Sequence, residues 1–381
     1  MSDSSNPSAP PRIVVVGGGA GGLELVTRLG RKLGRKGKAR ITLVDANMTH
    51  IWKPLLHEVA AGSLNSTEDE LNYVAQGKWN HFAFQLGAMT GLDRERRTIQ
   101  LAAIQDEKGV ELIAPRELDY DYLVIAVGST TNDFNTPGAA EHCLFLDTRA
   151  QAERFHRHLL NQYMKAQASE RGAAREPINV AIIGAGATGV ELSAELHHAA
   201  QLLRAYGFNR ISPEDLNINI IEASPRLLPA LPERIGGPVT EILRDLGVHL
   251  HTGSPVKEVK ADRLILGNGE EIPASLKVWA AGIRAPAFLA GLGMPTNRIN
   301  QLEVDRTLKV KGEDRIYAFG DCAACPTDEP GKFVPPRAQA AHQQASLLAK
   351  NLRNLLEDKP QKEYSYRDYG SLISLSSFSA V

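Results

Sequence analysis

Short apolar runs recur along this chain, and the most regular of them end in glycine-rich turns that lead into helical spacing. Val14-Val15-Val16 runs into Gly17-Gly18-Gly19-Ala20-Gly21-Gly22 and then Leu23-Glu24-Leu25. Val180-Ala181-Ile182-Ile183 runs into Gly184-Ala185-Gly186-Ala187-Thr188-Gly189 and then Val190-Glu191-Leu192. Each run reads as a buried strand, and each following segment as a helix. Both clusters fit G-x-G-x-x-G. The first glycine allows a tight turn, the second lets backbone approach a pyrophosphate, and the third lets helix pack on strand. Two such clusters point to two nucleotides on two domains, with electrons passing between them.

The rest of the pattern fills in both units. Ile41-Thr42-Leu43-Val44 is a strand ending in Asp45, where a carboxylate accepts the ribose hydroxyls of an adenosine. Asn217-Ile218-Asn219-Ile220-Ile221 ends in Glu222 in the same way, after a long helix with an insertion near Ala205–Pro213. Residues 119–128 form a buried strand running into a turn at Gly128, and Lys277–Ala281 repeats that pattern at Gly282. Arg315–Phe319 leads into Gly320-Asp321. Residues from Arg149 to about Arg175 read as a connecting helix, and a final helix runs from near Pro336 to about Leu356. The expected fold is α/β, with two Rossmann-like dinucleotide-binding domains, the second inserted in the first. The boundaries expected are a disordered tail at 1–10, a first domain at 11–150 and 275–345, a second at 151–274, and a C-terminal segment at 346–381.

Composition narrows the class. The 381 residues allow two or three domains, and 43% hydrophobic with 23% charged is ordinary for a globular protein. A net charge of −1 gives no field for nucleic acid, which is not expected as a partner. Arg28, Arg31, Lys32, Arg35, Lys36, Lys38 and Arg40 occur with no acid among them. They read as a solvated helix end, with a patch for anionic lipid as the alternative. The first residues hold no apolar signal region, and no run is long enough to span a bilayer. Three cysteines are too few for a disulfide framework, which indicates a reducing compartment. Cys322 and Cys325 form a C-x-x-C that reads as buried thiols, since two thiols do not complete a zinc site. His249, His251, His197 and His198 lack a ligand cluster, so no metal is expected.

Fingerprint, strand–glycine, fingerprint, strand–glycine and a late Gly-Asp resemble the two-dinucleotide-binding-domain flavoproteins. Trp52-Lys53-Pro54-Leu55-Leu56-His57-Glu58, Gly184–Glu195, Glu222–Pro232, Asn297–Asn300 and Pro335–Gln343 narrow this further. They look like the type II NADH:quinone oxidoreductases, single-subunit respiratory dehydrogenases that do not pump ions. The likeness runs from about Arg12 to Val381.

The resemblance implies non-covalent FAD on the first fingerprint and NADH on the second. Gly17, Gly19, Gly22, Asp45, Lys53, Gly128, Gly320, Asp321 and Ala338 are the FAD residues it implies. Gly184, Gly186, Gly189, Glu222 and Gly282 are those for NADH. Glu222 also repels a 2′-phosphate and so favours NADH over NADPH, although Arg226 lies close in sequence. Glu191 is implied to sit between the two cofactors, its plain alternative being an exposed helix carboxylate. Gln339 and Gln343 are four apart and share a helix face. By themselves they read as a polar face; the resemblance places them at the flavin–quinone edge. The resemblance further implies a quinone as electron acceptor, a peripheral site on the cytoplasmic side of the bacterial inner membrane, and room for a homodimer. The family continues past Val381 into amphipathic helices that dock on the membrane. The sequence is therefore read as truncated, with its anchor missing and a soluble cytoplasmic location open to it. The rivals are another pyridine-nucleotide flavoprotein reductase and a redox-sensing flavoprotein. The absence of C-x-x-x-x-C after the first helix argues against disulfide reduction.

Overall fold

The structure is a computed structural model that describes residues 9–168, 177–206, 215–378 and 380. Most of the expected tail at 1–10, the end of the connecting helix and most of the insertion near 205–213 lie outside those residues. Two compact units divide the chain. Unit 1 comprises residues 1–51, 70–130 and 284–369, and unit 2 comprises 52–69, 131–283 and 370–381.

Unit 1 is built on a five-stranded parallel sheet. Its order is Ile316–Ala318, Tyr122–Ile125, Arg12–Val16, Arg40–Asp45, Ala83–Leu86. Ile13, Val15, Leu43, Leu123 and Val124 are fully buried, as a sheet covered on both faces requires. The helix Ala20–Leu29 follows the first glycine loop. It packs against the final helix, which begins at Ala338 rather than near Pro336 and runs to Leu355. The closeness of that packing is visible at Gly21, where a Cβ would come within 3.2 Å of the Ala341 carbonyl oxygen. A five-residue π-helical turn, Gly30–Gly34, continues the first helix. The basic segment sits here: Arg28 pairs with Glu24, Arg31 donates to Asn80 at 2.7 Å, and Lys38 lies 3.9 Å from Glu357.

Unit 2 repeats the architecture with Leu144–Phe145, Leu276–Trp279, Ile178–Ile183, Leu216–Ile221 and His249–His251 in that order, all parallel. Its glycine-loop helix is Ala187–Ala205, and a short helix, Leu56–Ala61, packs on it and on the helix Arg149–Ala168. Among the described residues, no helix is long and apolar enough to cross a membrane.

Candidate functional site

Parallel strands bring their C-terminal ends to one edge of each sheet, and ligands of such sheets bind in the crevice outside that edge. In unit 1 the edge carries the Gly17–Gly22 loop, Asp45, Gly128 and Gly320-Asp321. In unit 2 it carries the Gly184–Gly189 loop, Glu222 and Gly282.

The two loops are built alike. Gly17 and Gly184 have φ of 101° and 105°, in the region that side chains resist, and donate to Val44 and Ile221 at 2.8 and 2.7 Å. A Cβ on Gly22 would overlap the Gly17 carbonyl oxygen, and one on Gly189 the Gly184 oxygen. Gly19 and Gly186, by contrast, have no atom within 4 Å of a built Cβ. Each therefore leaves an open approach at a helix N-terminus, where unpaired N–H groups and the helix dipole suit a phosphate. A dinucleotide pyrophosphate fits both loops on this ground.

The acid after the second strand holds each loop. Asp45 accepts from the Gly18 N–H at 2.6 Å and the Asn47 N–H at 2.8 Å. Glu222 accepts from the Ala185 and Ser224 N–H groups, both at 2.8 Å. Each carboxylate is thus fixed in place with lone pairs left for a ribose. Arg226 is held on backbone carbonyls. Its guanidinium donates to the Leu228, Pro229 and Leu231 carbonyls at 3.2, 2.8 and 2.8 Å.

Several supporting side chains had no sequence signal. Tyr73 is buried and donates to the Gly18 carbonyl at 2.8 Å. Ser129 donates to Asp321 at 2.9 Å, and Gln301 donates to the Asp321 carbonyl at 2.9 Å. The buried Gln344 accepts from Gly320 N–H at 2.8 Å. Only contacts across the fold distinguish Gln344 from its neighbour Gln343. Gly320, Asp321, Pro335, Arg337 and Gln344 line a narrow recess at this end of the helix Ala338–Leu355. Gly128 has open space where its Cβ would stand, whereas Gly282 is covered by the Phe134 ring. Lys53 lies 3.4 Å from Asp147.

Gln339 and Gln343 do share a helix face, and both amides are paired. Gln343 donates to the Arg367 carbonyl at 2.8 Å and accepts from the Arg367 N–H at 3.1 Å. Gln339 donates to Asp368 at 3.2 Å and accepts from the Tyr369 N–H at 3.0 Å. Asn351 pairs in the same reciprocal way with Lys362, and Asn354 donates to the Pro360 carbonyl. One helix face thereby zips residues 360–369 along its length.

In unit 2, Glu191 is not an exposed carboxylate. Its side chain is 14% exposed, and it accepts from the Ser374 N–H at 3.1 Å. Burial pushes its pKa up to about 7, against the lowering effect of that bond, with Glu58 and Glu195 adding repulsion. Cys322 and Cys325 are buried, and burial raises each thiol to about 12, which keeps them protonated and unreactive. His251 meets Asn219 and Glu270, and no metal-holding cluster occurs among the described residues.

The paired Rossmann-like units fall within one family: the family model described as pyridine nucleotide-disulphide oxidoreductase matches residues 11–345. The type II NADH:quinone oxidoreductase of Haemophilus influenzae is 46% identical over 97% of this chain and 86% of its own length. That of Staphylococcus aureus is 28% identical over 97% of this chain and 89% of its own length. The chain belongs to the type II NADH:quinone oxidoreductases, within that wider family. Its fold matches NDH2 from Plasmodium falciparum, solved in complex with NADH, at a TM-score of 0.83 and 20% identity, covering 97% of this chain and 89% of that one. The sulfide:quinone oxidoreductase of Aquifex aeolicus has the same fold at a TM-score of 0.72 and 20% identity, with 92% and 78% covered. The protein is an oxidoreductase that moves electrons from NADH to a quinone.

Proposed function

We propose that unit 1 holds FAD non-covalently, that unit 2 holds NADH, and that the acceptor is a respiratory quinone at a membrane surface. The observation that carries this reading is the pair of matched loops, each with an open second glycine at a helix N-terminus. FAD, when bound, supplies the two-electron carrier between the nucleotide and the quinone.

The chain's own residues bind, orient and protonate. Gly17, Gly19 and Gly22 receive the FAD pyrophosphate, and Asp45 the adenosine ribose. Gly128, Gly320 and Asp321 line the flavin side, with Ala338 opening a helix whose positive end favours an anionic reduced ring. Lys53 belongs to the same reading as a cation that helps fix the flavin. Gly184, Gly186 and Gly189 receive the NADH pyrophosphate, Glu222 its ribose, and Gly282 closes that edge. Glu191 holds a proton near neutrality. Gln339 and Gln343 offer amides to a quinone carbonyl in exchange for their partners at residues 367–369.

The test is to load the chain with FAD and follow flavin bleaching by NADH and NADPH, then reoxidation by a short-chain ubiquinone. Fast bleaching by NADH with rapid reoxidation by quinone supports the reading. Bleaching without acceptor preference favours a redox-sensing role instead. Glu222→Gln removes the charge that opposes a 2′-phosphate, and like-charge contact costs on the order of several kcal/mol. The preference for NADH over NADPH is expected to fall about tenfold or more, measured as the ratio of kcat/KM values. An unchanged ratio would remove Glu222 from this role.

A further inference from the structure

Beside Glu191 in unit 2 lies a buried imidazole with a carboxylate facing each ring nitrogen. His57 is 4% exposed. Its Nδ1 lies 3.8 Å from Glu191 Oε2, and its Nε2 lies 3.9 Å from Glu58 Oε1. Nε2 is buried and has no hydrogen-bond partner. An orphaned buried nitrogen is costly, and its persistence next to a carboxylate calls for a reason. Glu58 is the more accessible acid of the two, its side chain 28% exposed against 14% for Glu191.

Reduction of a quinone by NADH consumes a hydride and one proton from water. We infer that Glu58 and His57 relay that proton to Glu191. The inference rests on the reading above, in which Glu191 holds a proton near neutrality. The proton passes as the Glu58 O–H breaks and a bond to His57 Nε2 forms. The Nδ1–H then breaks as a bond to Glu191 forms. Glu58 reloads from water, and a half-turn of the ring resets it. No electron moves in these steps. Each gap needs to close by about 1 Å to reach hydrogen-bond length. Glu58 and His57 act through Glu191 and are positioning residues.

The surroundings match such a relay. The helix Ala187–Ala205 contributes Glu195 as well as Glu191, and Glu195 accepts from Ser63 at 2.8 Å. Burial holds the His57 pKa below its usual value, against the charge of Glu195 and a hydrogen bond to the Pro54 carbonyl, which the ring N–H must leave to reach Glu191. The helix Arg149–Ala168 contributes His156, Arg157 and the Arg149–Glu153 pair. Asp69, in the loop after the short helix, joins Glu195 in raising Glu58, where burial is the leading cause.

The test uses the full FAD-loaded chain with Glu58→Gln, Glu58→Asp and His57→Phe. Turnover is measured with a short-chain ubiquinone and with ferricyanide, which takes up electrons and no proton. General acid–base steps contribute about 100-fold or more. With Glu191 intact, Glu58→Gln and His57→Phe are expected to slow quinone turnover about tenfold, with a larger solvent deuterium isotope effect. The ferricyanide rate is the reference and stays within about twofold, and Glu58→Asp restores most of the quinone rate. Equal loss with both acceptors, or no loss with quinone, overturns the relay. Should His57→Phe fail to fold, the partly exposed Glu58 variants decide the matter. A parent chain that reduces ferricyanide but not quinone sinks the quinone reading and the relay together. Loss of the relay alone leaves the parent's quinone turnover in place.

Discussion

A Gly22→Val variant is expected to carry less than about a tenth of the flavin of the parent chain, because overpacking of about 1–3 kcal/mol or more falls on the loop itself. A Cβ at this position overlaps the Gly17 oxygen and comes within 3.6 Å of the Ala126 Cβ. Gly17 cannot simply yield. It sits at φ 101° and donates to Val44 at 2.8 Å, with Ala126 N–H bonded to Val16 alongside. Helix and loop must therefore separate, and the N–H groups proposed to receive the pyrophosphate move with them. Gly19→Val is the companion change. Its Cβ meets no protein atom within 4 Å, so thermal stability of the flavin-free chain is expected to hold while flavin content falls. Flavin absorbance relative to protein, with thermal denaturation of both forms, checks the pair. Full flavin loading in Gly19→Val would show that the open approach is not where the pyrophosphate sits.

Glu191→Gln is expected to lower quinone turnover by about 100-fold, the usual contribution of one general acid. In the parent chain the carboxyl titrates at about 7. Its protonated form is lost as pH rises through 7, so quinone turnover should fall across that range, and the variant should lack this limb. Stability provides a second readout. The folded pKa is raised above the ordinary carboxyl value of 4.5, so the native state binds more protons than the unfolded state between those two values. The parent chain therefore loses stability as pH rises from about 4.5 to 7, by an amount on the order of 3 kcal/mol. Glutamine carries no such penalty. The variant is expected to melt higher than the parent at pH 8, with the advantage shrinking at pH 5. A variant that is slower, equally pH-dependent and less stable at pH 8 would overturn this account.

Much of the fold was legible because it depends on local pattern. The strands at Val14–Val16 and Val180–Ile183 are continuous apolar runs, and sheets buried on both faces demand them. The glycine spacing is equally local, since the overlaps at Gly22 and Gly189 involve oxygens five residues earlier. Asp45 and Glu222 were legible for the same reason, as each closes a strand beside its own loop. Gln339 and Gln343 were legible as a helix face, but not their pairing with Arg367, Asp368 and Tyr369. That pairing depends on the chain turning back along the helix after Leu355.

The amino-acid sequence by itself determined two glycine-rich loops, their strands and the acids that pin them, because each is a short-range steric or hydrogen-bonding requirement. Only the tertiary structure decided which polar residues meet. Residues 52–69 cluster with unit 2. That clustering sets His57 and Glu58 against Glu191 and Glu195, more than a hundred positions away in the chain. Gln301 and Gln344 likewise reach Gly320-Asp321 from separate segments. The pKa of Glu191 is the clearest case. Burial and neighbouring charge set it, and neither is a property of the residue's place in the sequence.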